Sequence, residues 1–259
     1  MNDTLLIERA GAIATVVLNR PHKLNAFTKG MWRRLGEVVD ELAADSGLRC
    51  VVLRGAGDKA FSAGNDISEF ENERSNAKQA EAYGRLMHGA IDAFRAWTVP
   101  KVALITGICV GGGLEVAGLC DIRICGASSR FGAPIAKLGL VMAYPELRCL
   151  SDLVGPQVAY EILLEGRVFG ADEALQKGLV SRVVADAEVE AEAMAAARRI
   201  ADGAPLVHRW HRKFLSRLAD PAPLSDAEKR EGFACYDTED FRIGYQAFLN
   251  KKKPEFKGK

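Results

Sequence analysis

Three consecutive glycines, Gly111 to Gly113, stand between the apolar run KVALITGICV and the small apolar residues of LEVAGLC. A strand, a glycine turn and a helix start in that order are demanding. Glycine permits positive φ and close approach, while the first turn of a helix leaves N–H groups without partners. The stretch RCVVLRGAGDKAFSAGNDI has the same design: a strand, a glycine-containing loop and a short polar segment. Such turns suit an α/β core in which backbone N–H groups meet an anion or a carbonyl oxygen. The glycines also serve a plainer purpose, close packing of helix on sheet, and the run alone does not choose between the two.

The rest of the chain agrees with alternation. TLLIERAGAIATVVLNRP predicts a hairpin around Ala10-Gly11, stopped by Pro21. TKGMWRRLGEVVDELAADSG has helical spacing at Met31, Leu35, Val38, Val39 and Leu42, with Thr28 as N-cap and Gly47 as the stop. Buried strands are expected in RCVVLRG, KVALITG and CDIRICGASSRFGAP, with a helix from about Ala77 to Trp97 between the first two. Helical patterns dominate from Glu146. Beyond Val184 no strand pattern remains, and three helical stretches are expected: Val189 to Ala201, LVHRWHRKFLSRL, and Asp226 to Asn250. This places a boundary near residue 200, between an α/β core (1–199) and a helical region (200–259) ending in the lysine-rich NKKKPEFKGK.

Composition narrows the function classes. The 259 residues carry 35 Lys+Arg against 34 Asp+Glu, so no whole-molecule field favours nucleic acid or an anionic membrane, and any anion site is local. Six cysteines lie in mostly apolar stretches with no C-x-x-C pair, which argues against a disulfide framework and a zinc ribbon and for reduced thiols in a cytoplasmic protein. No apolar run reaches membrane-spanning length, and the acids and arginine near the N-terminus do not read as a signal or transit peptide. No metal site is expected: His208 and His211 sit among basic residues with no carboxylate nearby.

Other glycine motifs fail. After Gly111 and Gly113 the sixth position of a dinucleotide fingerprint is Val116, a P-loop Gly-Lys pair is absent, and FSAGN has Ala60 where a nucleophile elbow needs its first glycine. Two N–H donors converging on one carbonyl would stabilise an enolate. Glu115 then has two readings: a helix-start acid favoured by the macrodipole, or a carboxyl of raised pKa held in an apolar pocket to move a proton.

These residues resemble the crotonase superfamily, the enoyl-CoA hydratase/isomerase family. VVLNRPHKLNAF is similar to its N-terminal hairpin and turn, and KAFSAGNDISEF and GICVGGGLEVAGLCDIRIC to its two oxyanion-hole loops. RFGAPIAKLGLV resembles the segment that follows, and FRIGYQAFLNKKKPEFKGK the C-terminal signature. The resemblance implies an α/β crotonase-like spiral of ββα units with a helical C-terminal trimerisation region, assembled as trimers or hexamers. It implies an acyl-CoA thioester as substrate, with coenzyme A entering as part of that substrate and no other cofactor. The N–H groups of Asn65 and Gly112 would grip the thioester oxygen, beside Ala63, Ile67 and Gly111, and Asp66 would hold the loop. Lys23 and Leu24 would lie along the CoA, and Phe248 and Lys251 would meet its adenine and phosphates.

One departure is chemical. Of the two glutamates that family hydratases use, Glu115 matches one, while Ile135 stands where the other falls. Glu146 and Tyr144, in LVMAYPELRCL, are candidate replacements, although Glu146 also suits a helix cap; His88 is a candidate hydrogen-bond donor from the acyl-pocket helix. The resemblance thus implies hydration or isomerisation of a 2-enoyl-CoA. Decarboxylation or hydrolysis of a CoA thioester, and a catalytically weak acyl-CoA-binding homologue, remain alternatives. A nucleic-acid partner is not expected.

Overall fold

The computed structural model describes residues 4–259. The chain begins with an antiparallel hairpin, β1 (Leu5–Ala10) and β2 (Ile13–Leu18), turned by Gly11 at φ 60°. From β2 the large sheet grows by parallel pairing through β3 (Cys50–Gly55), β5 (Lys101–Ile105), β7 (Ile122–Gly126) and β10 (Arg182–Val184), giving the order β1-β2-β3-β5-β7-β10. A smaller sheet has the order β4-β6-β8-β9, built from β4 (Ala60–Ser62), β6 (Ile108–Val110), β8 (Arg130–Gly132) and β9 (Val168–Gly170).

The same unit recurs three times: a strand in the large sheet, a strand in the small sheet, then a helix. It comprises β3, β4 and helix Ala77–Ala96; β5, β6 and helix Gly112–Gly118; and β7, β8 and helix Tyr144–Glu165. The chain is therefore a spiral of ββα units.

Burial follows from the patterns. Central strands β3 and β5 are buried almost throughout, so both faces of the large sheet must be covered. One face packs on the main core, with Trp32, Leu35, Tyr83, Ile91 and Phe94 from helices Lys29–Ala43 and Ala77–Ala96. The other meets helix Val189–Ala201, whose Val189, Ala193, Ala196 and Ala197 fall at helical spacing and pack on Val52, Val102, Leu104 and Ile124.

Thr28 caps its helix as predicted, its hydroxyl accepting from the Met31 N–H at 3.2 Å. The helix ends at Ala43 rather than at Gly47, because Asp45 turns the chain by accepting from the Gly47 N–H. CDIRICGASSRFGAP holds two strands rather than one. The Asp186 carboxylate takes the Ser128 N–H at 3.0 Å, and the chain bends out of the large sheet into the small one. The stretch Asp226 to Asn250 is likewise two helices, Asp226–Glu231 and Glu239–Leu249, separated by a short 3-10 turn and capped by Ser225 and Thr238.

The lysine-rich end is tied down. Asp240, 2% exposed, accepts from the N–H groups of Lys257 (2.6 Å) and Gly258 (2.9 Å), and Arg49 reaches the Phe256 carbonyl. Among the described residues no helix is long and apolar enough to cross a membrane.

Candidate active site

The loops after β4 and β6 meet at glycines, two of which, Gly64 and Gly113, leave no room for a larger residue. A Cβ on Gly113 would lie 2.5 Å from the Ser62 carbonyl oxygen and 2.8 Å from the Ser62 Cβ. Gly64 has φ 94°, and a Cβ there would lie 3.2 Å from the Gly112 nitrogen. A Cβ on Gly112 would come within 3.6 Å of the Asn65 nitrogen. The Asn65 and Gly112 main-chain nitrogens therefore lie close together, and neither donates to an acceptor among the described residues.

The turn at Lys23 to Phe27 clamps the first loop. The Phe27 N–H donates to the Gly64 carbonyl and the Asp66 N–H to the Phe27 carbonyl, both at 2.7 Å, and the Ala63 N–H to the Leu24 carbonyl at 2.9 Å. Leu24 and Asn25 hold left-handed φ of 50° and 55°. Such strain needs compensation. It comes from the fully buried Asn25 amide, which donates to the carbonyls of Ala56 and Ala60 while its oxygen takes the Arg20 N–H.

Asp66 holds the loop from its side chain. It pairs with Arg20 at 2.8 Å and accepts from the Ser68 N–H and hydroxyl. Burial opposes its ionisation, but these partners outweigh burial and keep the carboxyl below its usual range. The Asn65 side chain is fixed as well: its oxygen accepts from Trp32 Nε1 at 2.8 Å, and Trp32 stacks on Phe27 at 4.3 Å.

Beside the two free amides lies a pocket of about 140 Å³. Ala63, Asn65 and Ile67 line it from the first loop, and Gly111, Gly112 and Glu115 from the second. Ile135 closes one side, from the 3-10 turn Pro134–Leu138, and Glu146 another, from the first turn of helix Tyr144–Glu165. Glu115 is buried, and its Oε2 has no hydrogen-bond partner among the described residues. Burial pushes its carboxyl pKa up to about 8; Glu146 adds to the rise and Arg74 opposes it. Glu115 is thus a buried acid whose neutral form is favoured by its surroundings.

Glu146 both caps and faces the pocket. One oxygen takes the Ala143 N–H at 2.6 Å, and the other lies 3.3 Å from His88 Nε2. Tyr144, by contrast, is 89% exposed and does not line the pocket; the turn that sends Glu146 inward sends its neighbour out. Lys23, Leu24, Asp66, Phe248 and Lys251 also lie outside this pocket, and Phe248 is 83% exposed.

Arg74 lines the pocket too, and reading the sequence alone misses it. Nothing in ENERS sets one charged residue apart from the next. A larger open cleft, about 580 Å³, runs between helix Pro205–Leu218 and the core. The arginines that line it already serve the fold: Arg212 pairs with Asp121, Arg123 donates to the Leu179 carbonyl, and Arg95 reaches Cys149.

The family model described as enoyl-CoA hydratase/isomerase matches residues 8–259. The chain belongs to that family. It is 33% identical to a short-chain-enoyl-CoA hydratase of Clostridium acetobutylicum, over 98% of this chain and 97% of that one. It is 31% identical to a crotonyl-CoA hydratase of Syntrophomonas wolfei, over 98% of each. Its fold superposes with TM-score 0.98 on the crystal structure of an enoyl-CoA hydratase/carnithine racemase from Magnetospirillum magneticum, at 51% identity over 99% of this chain and 96% of that one. In this member of the enoyl-CoA hydratase/isomerase family, Ile135 and Glu146 line one pocket with the buried Glu115.

Proposed function

We propose that the protein hydrates a short-chain 2-enoyl-CoA with Glu115 and Glu146 as its pair of acids. The observation that carries this reading is a buried Glu115 with an unpaired carboxyl oxygen, sharing a small pocket with a second carboxyl and lying beside two backbone amides without acceptors among the described residues. The thioester oxygen accepts from the N–H groups of Asn65 and Gly112, which stabilise the enolate. A water sits between the two carboxyls. Glu146 takes a proton as the water oxygen bonds to C3, the electrons of the double bond move into the thioester, and Glu115 delivers its proton to C2. The proton gained by Glu146 then restores Glu115. His88 orients Glu146 without touching substrate.

A pocket of about 140 Å³ is below the usual range for whole ligands, so it holds only the acyl end. Coenzyme A enters as part of the substrate and lies outside the pocket, along Lys23 and Leu24, with Phe248 and Lys251 meeting its nucleotide. The same proposal includes self-association through the helical C-terminal region as a trimer or hexamer, supported by the exposed Leu215, Leu218, Phe233, Phe248 and Leu249. It also includes a cytoplasmic location, supported by five buried free thiols.

The test is incubation with 2-butenoyl-CoA and detection of product by mass. A product one water heavier is expected, with kcat reduced about 10²- to 10⁴-fold in Glu115→Gln and in Glu146→Gln. A product of unchanged mass with a shifted double bond would make the enzyme an isomerase, and release of free coenzyme A would make it a hydrolase.

A further inference from the structure

Arg74 is a cation with no anion. Its guanidinium makes no ion pair or side-chain hydrogen bond among the described residues, yet it lines the pocket that holds Glu115. The ring centroids of Phe70 and Tyr83 each lie 4.9 Å from its central carbon, so the planar group is held against two aromatic rings. Acids nearby are engaged elsewhere: Glu73 pairs with Lys29 at 2.6 Å, and Glu69 accepts from the Lys29 N–H and the Tyr83 hydroxyl. In the pocket, burial favours the neutral form of Glu115, and Glu146 is bound by the Ala143 N–H and faces His88. Most of the remaining lining is apolar, with Ile67, Phe70, Leu138, Leu140, Val141 and Met142.

We propose that Arg74 selects a substrate whose acyl group carries its own carboxylate, a short enedioyl-CoA monothioester rather than a simple enoyl-CoA. This rests on the acyl-CoA reading above and narrows its substrate class. A guanidinium pre-set by two rings loses little freedom on pairing, and a planar fork matches a carboxylate in two parallel hydrogen bonds. A terminal methyl group in the same place would leave the cation unpaired in a largely apolar site.

Calorimetric titration of the whole protein with two saturated thioesters, which have no double bond to hydrate, tests the selection apart from catalysis. Glutaryl-CoA ends in a carboxylate; pentanoyl-CoA has the same chain length and ends in a methyl. Glutaryl-CoA should bind about 10- to 100-fold tighter, as expected for hydrogen bonds to a charged group. The ratio of the two Kd values should collapse in Arg74→Gln and be partly kept in Arg74→Lys. Because the ratio is taken within each variant, a general loss of folding does not imitate the effect.

Equal affinities in the wild type, or a ratio that survives Arg74→Gln, would overturn the proposal. Turnover of 2-butenoyl-CoA and its pent-2-enedioyl counterpart separates the two readings. Hydration of both without preference removes only the role of Arg74. A binding preference that depends on Arg74, with water added to neither, removes only the hydratase.

Discussion

Replacing Glu115 with glutamine should change how stability depends on pH, in a direction fixed by burial. The carboxyl titrates near 4.5 when exposed and at about 8 in the folded chain. Between those values the unfolded chain has released the proton and the native chain retains it. With one proton more bound in the native state, the free energy of unfolding falls as pH rises, at up to about 1.4 kcal/mol per pH unit. The stabilisation from the retained proton is fully present below about 4.5 and gone above about 8.

Glutamine keeps the shape and cannot ionise, so this slope should vanish in Glu115→Gln. Urea unfolding of both proteins at pH 5, 6, 7 and 8, at one fixed protein concentration so that any self-association enters equally, gives the difference directly. The variant should gain on the wild type by several kcal/mol across the window, on the order of the per-unit slope times its width. Parallel curves would refute the idea that Glu115 holds its proton at neutral pH. The same ionisation should switch off hydration in the wild type, with kcat falling as pH passes about 8.

If Glu146 replaces the acid lost at Ile135, the two positions should be exchangeable. Adding Ile135→Glu to Glu146→Gln should restore hydration at least about 10-fold, part of the 10²–10⁴-fold that one positioned acid supplies; no recovery in a steady-state assay would mean that Glu146 has a different role. Gly113→Ala forces a Cβ to 2.5 Å from the Ser62 carbonyl oxygen. It should lower stability by about 1–3 kcal/mol, read from urea midpoints, and should lower kcat more than KM as the two amides separate.

Hydrophobic period and glycine placement carried most of the architecture. The Thr28 cap, the hairpin at Gly11 and helix Ala77–Ala96 follow from local chemistry that any reader of the chain can apply. The departures are long-range. The break between β7 and β8 depends on Asp186, nearly sixty residues further along, and no local pattern announces it. Small-sheet strands of three residues are too short to show a period.

In the site, the glycine loops were legible because their backbone requirement is written in residue type. Glu146 was legible only as two alternatives, cap or pocket acid. The structure shows one carboxyl capping with one oxygen while it faces the pocket and His88. Arg74 was invisible because its meaning comes from its packing against Phe70 and Tyr83 beside the pocket, a spatial relation absent from the order of residues.

The two neighbouring amides belong to the main chain, so short of proline no change of side chain deletes them. Acids around them are different: each is a single side chain, removable and re-creatable on any segment that borders the pocket. A lineage can therefore lose one proton carrier and recruit another without ever passing through a form that fails to hold the substrate. A cradle made of backbone is harder to lose than a proton carrier made of one side chain.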